Sequence, residues 1–248
     1  MRKPDRVYLL DELRGLAVLL MIFYHGAYDA VYLFRFTGTA WLTSAPMAFL
    51  QRYIAVSFIL IAGIMGRYTG SNLRRGAKTF LCGMLVTAVT LLVLPSERIL
   101  FGILHFLGAA MMLLGLCEPL LKKIPAPVGL LLSALLYLAT DSIGRGWIGL
   151  GPLRLELPRA LYDAGFLFPL GLHPRIFASA DYYPLLPWLF LFLAGYWLGE
   201  AFYHRRMPDF CYREHLPALG WVGRHALPIY LAHQPVVYGV LWMIDRLI

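Results

Sequence analysis

Charge is scarce in this sequence. Only 15% of its 248 residues are Asp, Glu, Lys or Arg, while 60% are hydrophobic and the mean hydropathy is +0.66. A soluble domain carries far more charge and far fewer apolar residues, so a soluble globular domain of any size is excluded. Cysteine is equally sparse. Cys82, Cys117 and Cys211 imply no disulfide framework, and no two of them have metal-ligand spacing. There is no repeat of fixed period and no low-complexity tract, which leaves one domain over residues 1–248 as the simplest organisation. A cleavable leader is not expected either: the first apolar run follows a basic start but is too long for a signal peptide. It continues to Arg35 without a small-residue cleavage site and is read as a retained first helix.

What the chain does have is apolar runs, rich in its 15 Phe, 15 Tyr and 6 Trp. Crossing about 30 Å of hydrocarbon takes about 20 residues of helix. The runs predict seven transmembrane helices over Gly15 to Phe34, Pro46 to Gly66, Ala77 to Leu94, Ile99 to Leu120, Ala126 to Thr140, Leu185 to Tyr203 and Ala226 to Leu247. The fold class is therefore an all-α polytopic membrane bundle. Its early helices are joined by short connections and should pack as antiparallel neighbours. Tyr162 to Leu172 is apolar but too short to cross and is bracketed or interrupted by Pro158, Pro169 and Pro174, so it is read as interfacial or re-entrant.

Positively charged loops stay cytoplasmic. With the N-terminus inside, the inner segments carry Arg2, Lys3 and Arg6, then Arg67, Arg74, Arg75 and Lys78, then Lys122 and Lys123, then Arg205, Arg206, Arg213 and Arg224. The outer cations fall mostly in one long loop, Asp141 to Pro184, where the rule has less force. The net charge of +8 is thus mainly a topology signal, and nucleic acid is a poor reading of it.

An ionisable group inside hydrocarbon costs roughly 2.5–3.5 kcal/mol on insertion scales and is a functional candidate by default. The first helix has several. Asp11, Glu12 and Arg14 stand at its cytoplasmic end, with His25 and Asp29 further along. Arg14 and His25 are separated by roughly 16 Å of helix, about half of the membrane. His25 and Asp29, four residues apart, share a face. A carboxylate beside an imidazole fixes its tautomer and raises its basicity, as a general base requires; the other reading is a polar pair that satisfies itself between helices. His105, in the fourth span, and His233, in the seventh, are each either interhelical hydrogen-bonding groups or part of a polar cavity. Pro184, Pro187 and Trp188 at the outer start of the sixth span, and Pro228 and Pro235 in the seventh, interrupt backbone hydrogen bonding as cavity-lining helices do; Trp188 also suits an interface anchor. Gly223-Arg224-His225 offers cations to a phosphate, and Arg224 serves equally as a positive-inside anchor.

Taken in order, Leu10-Asp-Glu-Leu-Arg-Gly15 with Met21 and His25, Phe101-Gly-Ile-Leu-His105, Tyr183-Pro-Leu-Leu-Pro-Trp188 leading to Gly195 and Gly199, and Gly223-Arg-His-Ala-Leu-Pro-Ile-Tyr-Leu-Ala-His-Gln-Pro235 resemble the bacterial heparan-α-glucosaminide N-acetyltransferase-like membrane family. These motifs cover nearly the whole chain. More distantly, Arg14 and His25 match the Arg, ten residues, His spacing on the first helix of the acyltransferases that O-acetylate bacterial surface polysaccharides. One departure is that the lysosomal relative's essential histidine lies just after the first shared helix, and Gly26 to Leu50 holds none. The resemblance implies an inner-membrane acetyltransferase that takes acetyl-CoA from the cytoplasm and acetylates a sugar or glycan on the far side, with no metal. Joined to the residue reading, it puts His25, Asp29 and His105 in catalysis and Arg14, Arg224, His225, Tyr230 and His233 at the acetyl-CoA site. Pro187 and Trp188 fall to the acceptor. Two other classes use the same polar residues: a haem b or quinone protein clamped by facing imidazoles, and a transporter. Nothing in the sequence sets an oligomeric state.

Overall fold

The computed structural model describes residues 5–247; Arg2 and Lys3, part of the predicted inner charge, and Ile248 lie outside them. Among the described residues, nine helices and one two-stranded sheet occur in the order α1 (Tyr8–Tyr32), α2 (Ala45–Met65), α3 (Asn72–Val93), α4 (Ile103–Leu121), α5 (Ala126–Thr140), β1 (Trp147–Leu150), β2 (Leu153–Glu156), α6 (Arg159–Asp163), α7 (Leu185–Tyr203), α8 (Pro217–Arg224) and α9 (Ala226–Leu247). Seven of these helices are long and apolar enough to cross a membrane, and they correspond to the seven predicted spans.

Several helix starts differ from the hydropathy reading. Helix α1 begins at Tyr8, not Gly15, so Asp11, Glu12 and Arg14 lie inside it. Helix α3 begins at Asn72, where the Ser71 hydroxyl accepts the Arg74 N–H at 3.2 Å. Helix α4 begins only at Ile103, because Arg98 to Phe101 pairs with the end of the long loop. The Ala180 N–H donates to the Arg98 carbonyl and the Tyr183 N–H to that of Phe101, both at 3.0 Å.

The chain's contacts divide it into two compact units, residues 1–61 with 205–248, and residues 62–204. In the first, α1 packs on α8 and α9. Two glycines permit the α1–α8 approach: a Cβ on Gly15 would stand 2.0 Å from the Leu219 carbonyl oxygen, and one on Gly223 1.8 Å from that of Asp11. The Glu12 carboxylate then accepts the backbone N–H groups of His215 at 2.6 Å and Leu216 at 2.9 Å, closing the N-terminus of α8 ahead of Pro217. Beyond α1, Ala27, Val31 and Leu42 form a small core with Tyr24, Tyr28 and Met47.

In the second unit, α3 packs on α4 and α5 on α7. Small residues again set the spacing: Gly129 lies flat on the Trp197 ring, and Gly108 sits on the Phe80 backbone. Arg67 pairs with Glu200 at 2.8 Å and lies 4.1 Å over the Tyr196 ring. Asp181, in the long loop, accepts the Ile103 N–H at 2.8 Å and so caps α4. The Tyr162–Leu172 stretch, expected to be interfacial, holds the end of α6 and a 3-10 turn over Phe168–Leu170.

Candidate active site on helices α1 and α9

Within the first unit, α1 and α9 run parallel, and their polar residues meet in register. The Arg14 guanidinium donates to the Gly223 carbonyl at 3.4 Å, just before α9 begins. Eleven residues further along α1, the His25 ring lies on that of His233, with centroids 5.1 Å apart. One turn beyond, both oxygens of Asp29 accept the Gln234 side-chain amide, at 2.8 and 3.0 Å, and Phe34 then meets Tyr238. Asp29 is only 1% exposed.

The hydrogen-bond pattern assigns the His233 tautomer. Its Nδ1 faces the Tyr230 carbonyl oxygen, which can only accept, so Nδ1 carries the proton and Nε2 keeps its lone pair. That Nε2 is buried and has no hydrogen-bond partner in the protein, a costly arrangement unless the atom is used. The Tyr230 ring centroid lies 5.3 Å from that of the imidazole, and that of His25 lies 5.1 Å away. The result is two imidazoles in contact, tilted by 54°, one with a fixed, unpaired nitrogen, one turn from a carboxylate held by an amide.

At the other end of the unit, Asp11 binds two cations. Its Oδ2 accepts from Arg6 at 2.7 and 3.0 Å, and its Oδ1 faces Arg14 at 3.3 Å. Arg224 is exposed and 3.6 Å from Glu214, while His225 donates from Nδ1 to the Trp221 carbonyl and lies on the Trp221 ring. Among the described residues no three His, Cys, Asp or Glu side chains converge as a metal site.

A family model described as "Heparan-alpha-glucosaminide N-acetyltransferase, catalytic" matches residues 6–235. The chain belongs to that family. No curated protein and no solved structure matches it. Membership, together with seven apolar helices, makes the protein a membrane acetyltransferase, and the matched stretch, residues 6–235, includes Arg14, His25, Asp29, Gly223, His233 and Gln234 of the paired array.

Of the predicted site residues, the structure gathers His25, Asp29, Tyr230 and His233 in one place, with Arg14, Arg224 and His225 toward the start of α1 and the α8–α9 junction. The partner it gives Asp29 from α9 is Gln234, which the sequence reading did not single out. Its only signal was position, as an amide directly after His233 in an apolar run. Glu12, which closes α8, was noted as a charge but not as a cap. His105, Pro187 and Trp188 belong to the other unit. There the Thr87 hydroxyl donates to the Ile99 carbonyl at 2.7 Å and so accepts from His105 Nε2–H at 3.4 Å. The His105 ring is enclosed by Phe80 and Phe101, and its Nδ1 faces Gly83 of α3, where a Cβ would stand 2.9 Å away. Pro187 is buried, and Trp188 packs among Tyr137 and Tyr183.

Proposed function

We propose that this acetyltransferase takes its acetyl group from acetyl-CoA at the membrane face nearest Arg14 and delivers it to a sugar hydroxyl or amine approaching from the opposite face, with the His25–His233 pair as the reacting centre. The observation that supports this reading is the parallel array itself. It sets cations at one end and a buried imidazole lone pair about half of a membrane further in, inside the stretch the family model matches.

The chemistry follows from the groups. Arg14, with Arg224 and His225 nearby, would bind the coenzyme's phosphates through charge-assisted hydrogen bonds, and the pantetheine arm would carry the thioester inward. His25 would remove the proton from the acceptor as its oxygen or nitrogen attacks the thioester carbonyl. The C–S bond then breaks, and the proton passes from the imidazolium to the departing thiolate. In the alternative order His25 first takes the acetyl group, forming an N-acetyl imidazole that the acceptor then attacks. In either order His233, held by Tyr230, keeps an acceptor nitrogen turned to the pair. In this proposal His105 holds α4 against α3 and does not touch the substrate.

The test is coenzyme A release by protein reconstituted in liposomes, with acetyl-CoA supplied on one side and amino sugars or glycans on the other. Acceptor-dependent release with an acetylated product is expected. Failure to bind acetyl-CoA or release thiol with any acceptor, in a preparation showing a haem absorption band, would replace the proposal with the cofactor reading.

A further inference from the structure

The β1–β2 hairpin is amphipathic by register. Leu150 pairs with Leu153 and Ile148 with Leu155, whereas Trp147 pairs with Glu156 and Gly149 with Arg154. Because side chains alternate across a strand, Ile148, Leu150, Leu153 and Leu155 share one face, and Trp147, Arg154 and Glu156 share the other. On the polar face the Arg154 guanidinium lies 4.4 Å over the Trp147 ring. The apolar face is uncovered: Leu153 is 80%, Leu155 63% and Leu150 40% exposed. Such a face would be a liability in water.

Its position supplies the occupant. Helix α5 runs on through a 3-10 turn to Arg145, a span of 20 residues that reaches across about 30 Å of hydrocarbon, and the hairpin begins directly after it. The hairpin folds back beside the end of α5, and a groove of about 530 Å³ is lined by Ile148, Leu153, Arg154 and Leu155 of the hairpin together with Leu136, Ala139 and Thr140. Leu135, Leu136 and Leu138 of α5 are themselves exposed, as the lipid-facing side of a span is. The apolar face of the hairpin is therefore continuous with a lipid-facing helix surface, just where that helix reaches the membrane's edge. Arg154 beside Trp147 on the opposite face fits the headgroup region.

We infer that the hairpin lies at the bilayer interface at the C-terminal end of α5, with its Leu153 and Leu155 face against lipid acyl chains and its Trp147 and Arg154 face toward the headgroups. Nitroxide labels at Leu153→Cys, Leu155→Cys, Arg154→Cys and Glu156→Cys, in a variant with Cys82, Cys117 and Cys211 replaced by Ala, test this in reconstituted membranes. Oxygen should relax the labels at 153 and 155 as strongly as one at Leu136→Cys, and a water-soluble nickel reagent should reach those at 154 and 156. Equal nickel access at all four overturns the inference, as does spin–spin broadening at 153, which would mean that a second copy covers the face. The unsubstituted protein gives an independent arm: lipids with a photoreactive acyl chain should label residues 147–156, and labelling confined to the long helices would overturn the inference.

Discussion

At the scale of single residues, what distinguishes His25 from the other imidazoles is its company: a partner ring whose tautomer is fixed, and a carboxylate one turn away that is itself held. Replacing His25 by Ala should cost about 10² to 10⁴-fold in acetyl transfer while acetyl-CoA binding stays intact, measured by transfer rate and by calorimetric titration of the donor. Asp29→Asn should be milder, because the imidazoles remain. Transfer near wild type in His25→Ala with loss in His105→Ala would move the reaction to the other unit. For the donor, Arg14→Ala should weaken acetyl-CoA binding by about 10 to 100-fold, the worth of a charge-assisted hydrogen bond, with Arg14→Lys recovering only part because it cannot form a bidentate contact. Unchanged affinity would leave Arg14 as a structural partner of Asp11 and Gly223. His25, Asp29 and Arg14 were legible in the sequence because charge stands out in an apolar run. The His25–His233 contact was not, since it depends on α9 lying on α1, and no spacing along the chain encodes which helices become neighbours.

At the scale of elements, glycines and caps decide which helices touch. Gly223→Ala would drive a methyl group into the Asp11 carbonyl and should destabilise the unit by about 1–3 kcal/mol, as overpacking does. In Gly239→Ala, by contrast, the new Cβ meets nothing within 4 Å, so it should be neutral or add about 0.5–1 kcal/mol from helix propensity. Thermal unfolding in detergent distinguishes the two, and equal behaviour would mean that the α1–α8 contact is not tight. The cap on α4 brings a pH dependence. Burial pushes the Asp181 carboxyl up to about 6 against the pull of its hydrogen bond from Ile103. A folded value above the unfolded one gives a contribution present in full below about pH 4 and lost as pH rises through 6. The unfolding midpoint should therefore fall across that window, and Asp181→Asn, which can still accept the Ile103 N–H, should flatten the fall. Hydropathy located the seven spans well, since length and apolarity are averaged over 20 residues. It misplaced the starts of α1 and α3 because their first turns carry charge, and that of α4 because long-range pairing consumes its first residues. It could not reveal the hairpin, whose four-residue strands are too short for such averaging.

At the scale of the whole molecule, the parallel arrangement of α1 and α9 constrains topology without reference to charge. Two parallel spans leave the membrane on the same side, so an odd number of crossings must separate them, and α2, α3, α4, α5 and α7 are five. If all seven helices cross, the start of α1 and the end of α9 face opposite sides. The cations predict which side is inside: with five crossings between α1 and α9, Arg67, Arg74, Arg75 and Lys78, then Lys122 and Lys123, then Arg205, Arg206, Arg213 and Arg224 are expected on the side from which α1 starts, and short basic connections remain cytoplasmic. On that prediction Arg14 would also lie on the cytoplasmic side, as the proposed donor end of the site requires. Alkaline phosphatase fused at the C-terminus should therefore be active, and fused between α7 and α8 inactive, with a cytoplasmic fluorescent reporter giving the converse. Both ends cytoplasmic would require α1 and α9 to be antiparallel and would contradict the paired contacts of Arg14, His25 and Asp29. An inverted result, with the C-terminus inside, would keep the pairing but put Arg14 on the outer face, and acetyl-CoA would then have no route to the cationic end of the site.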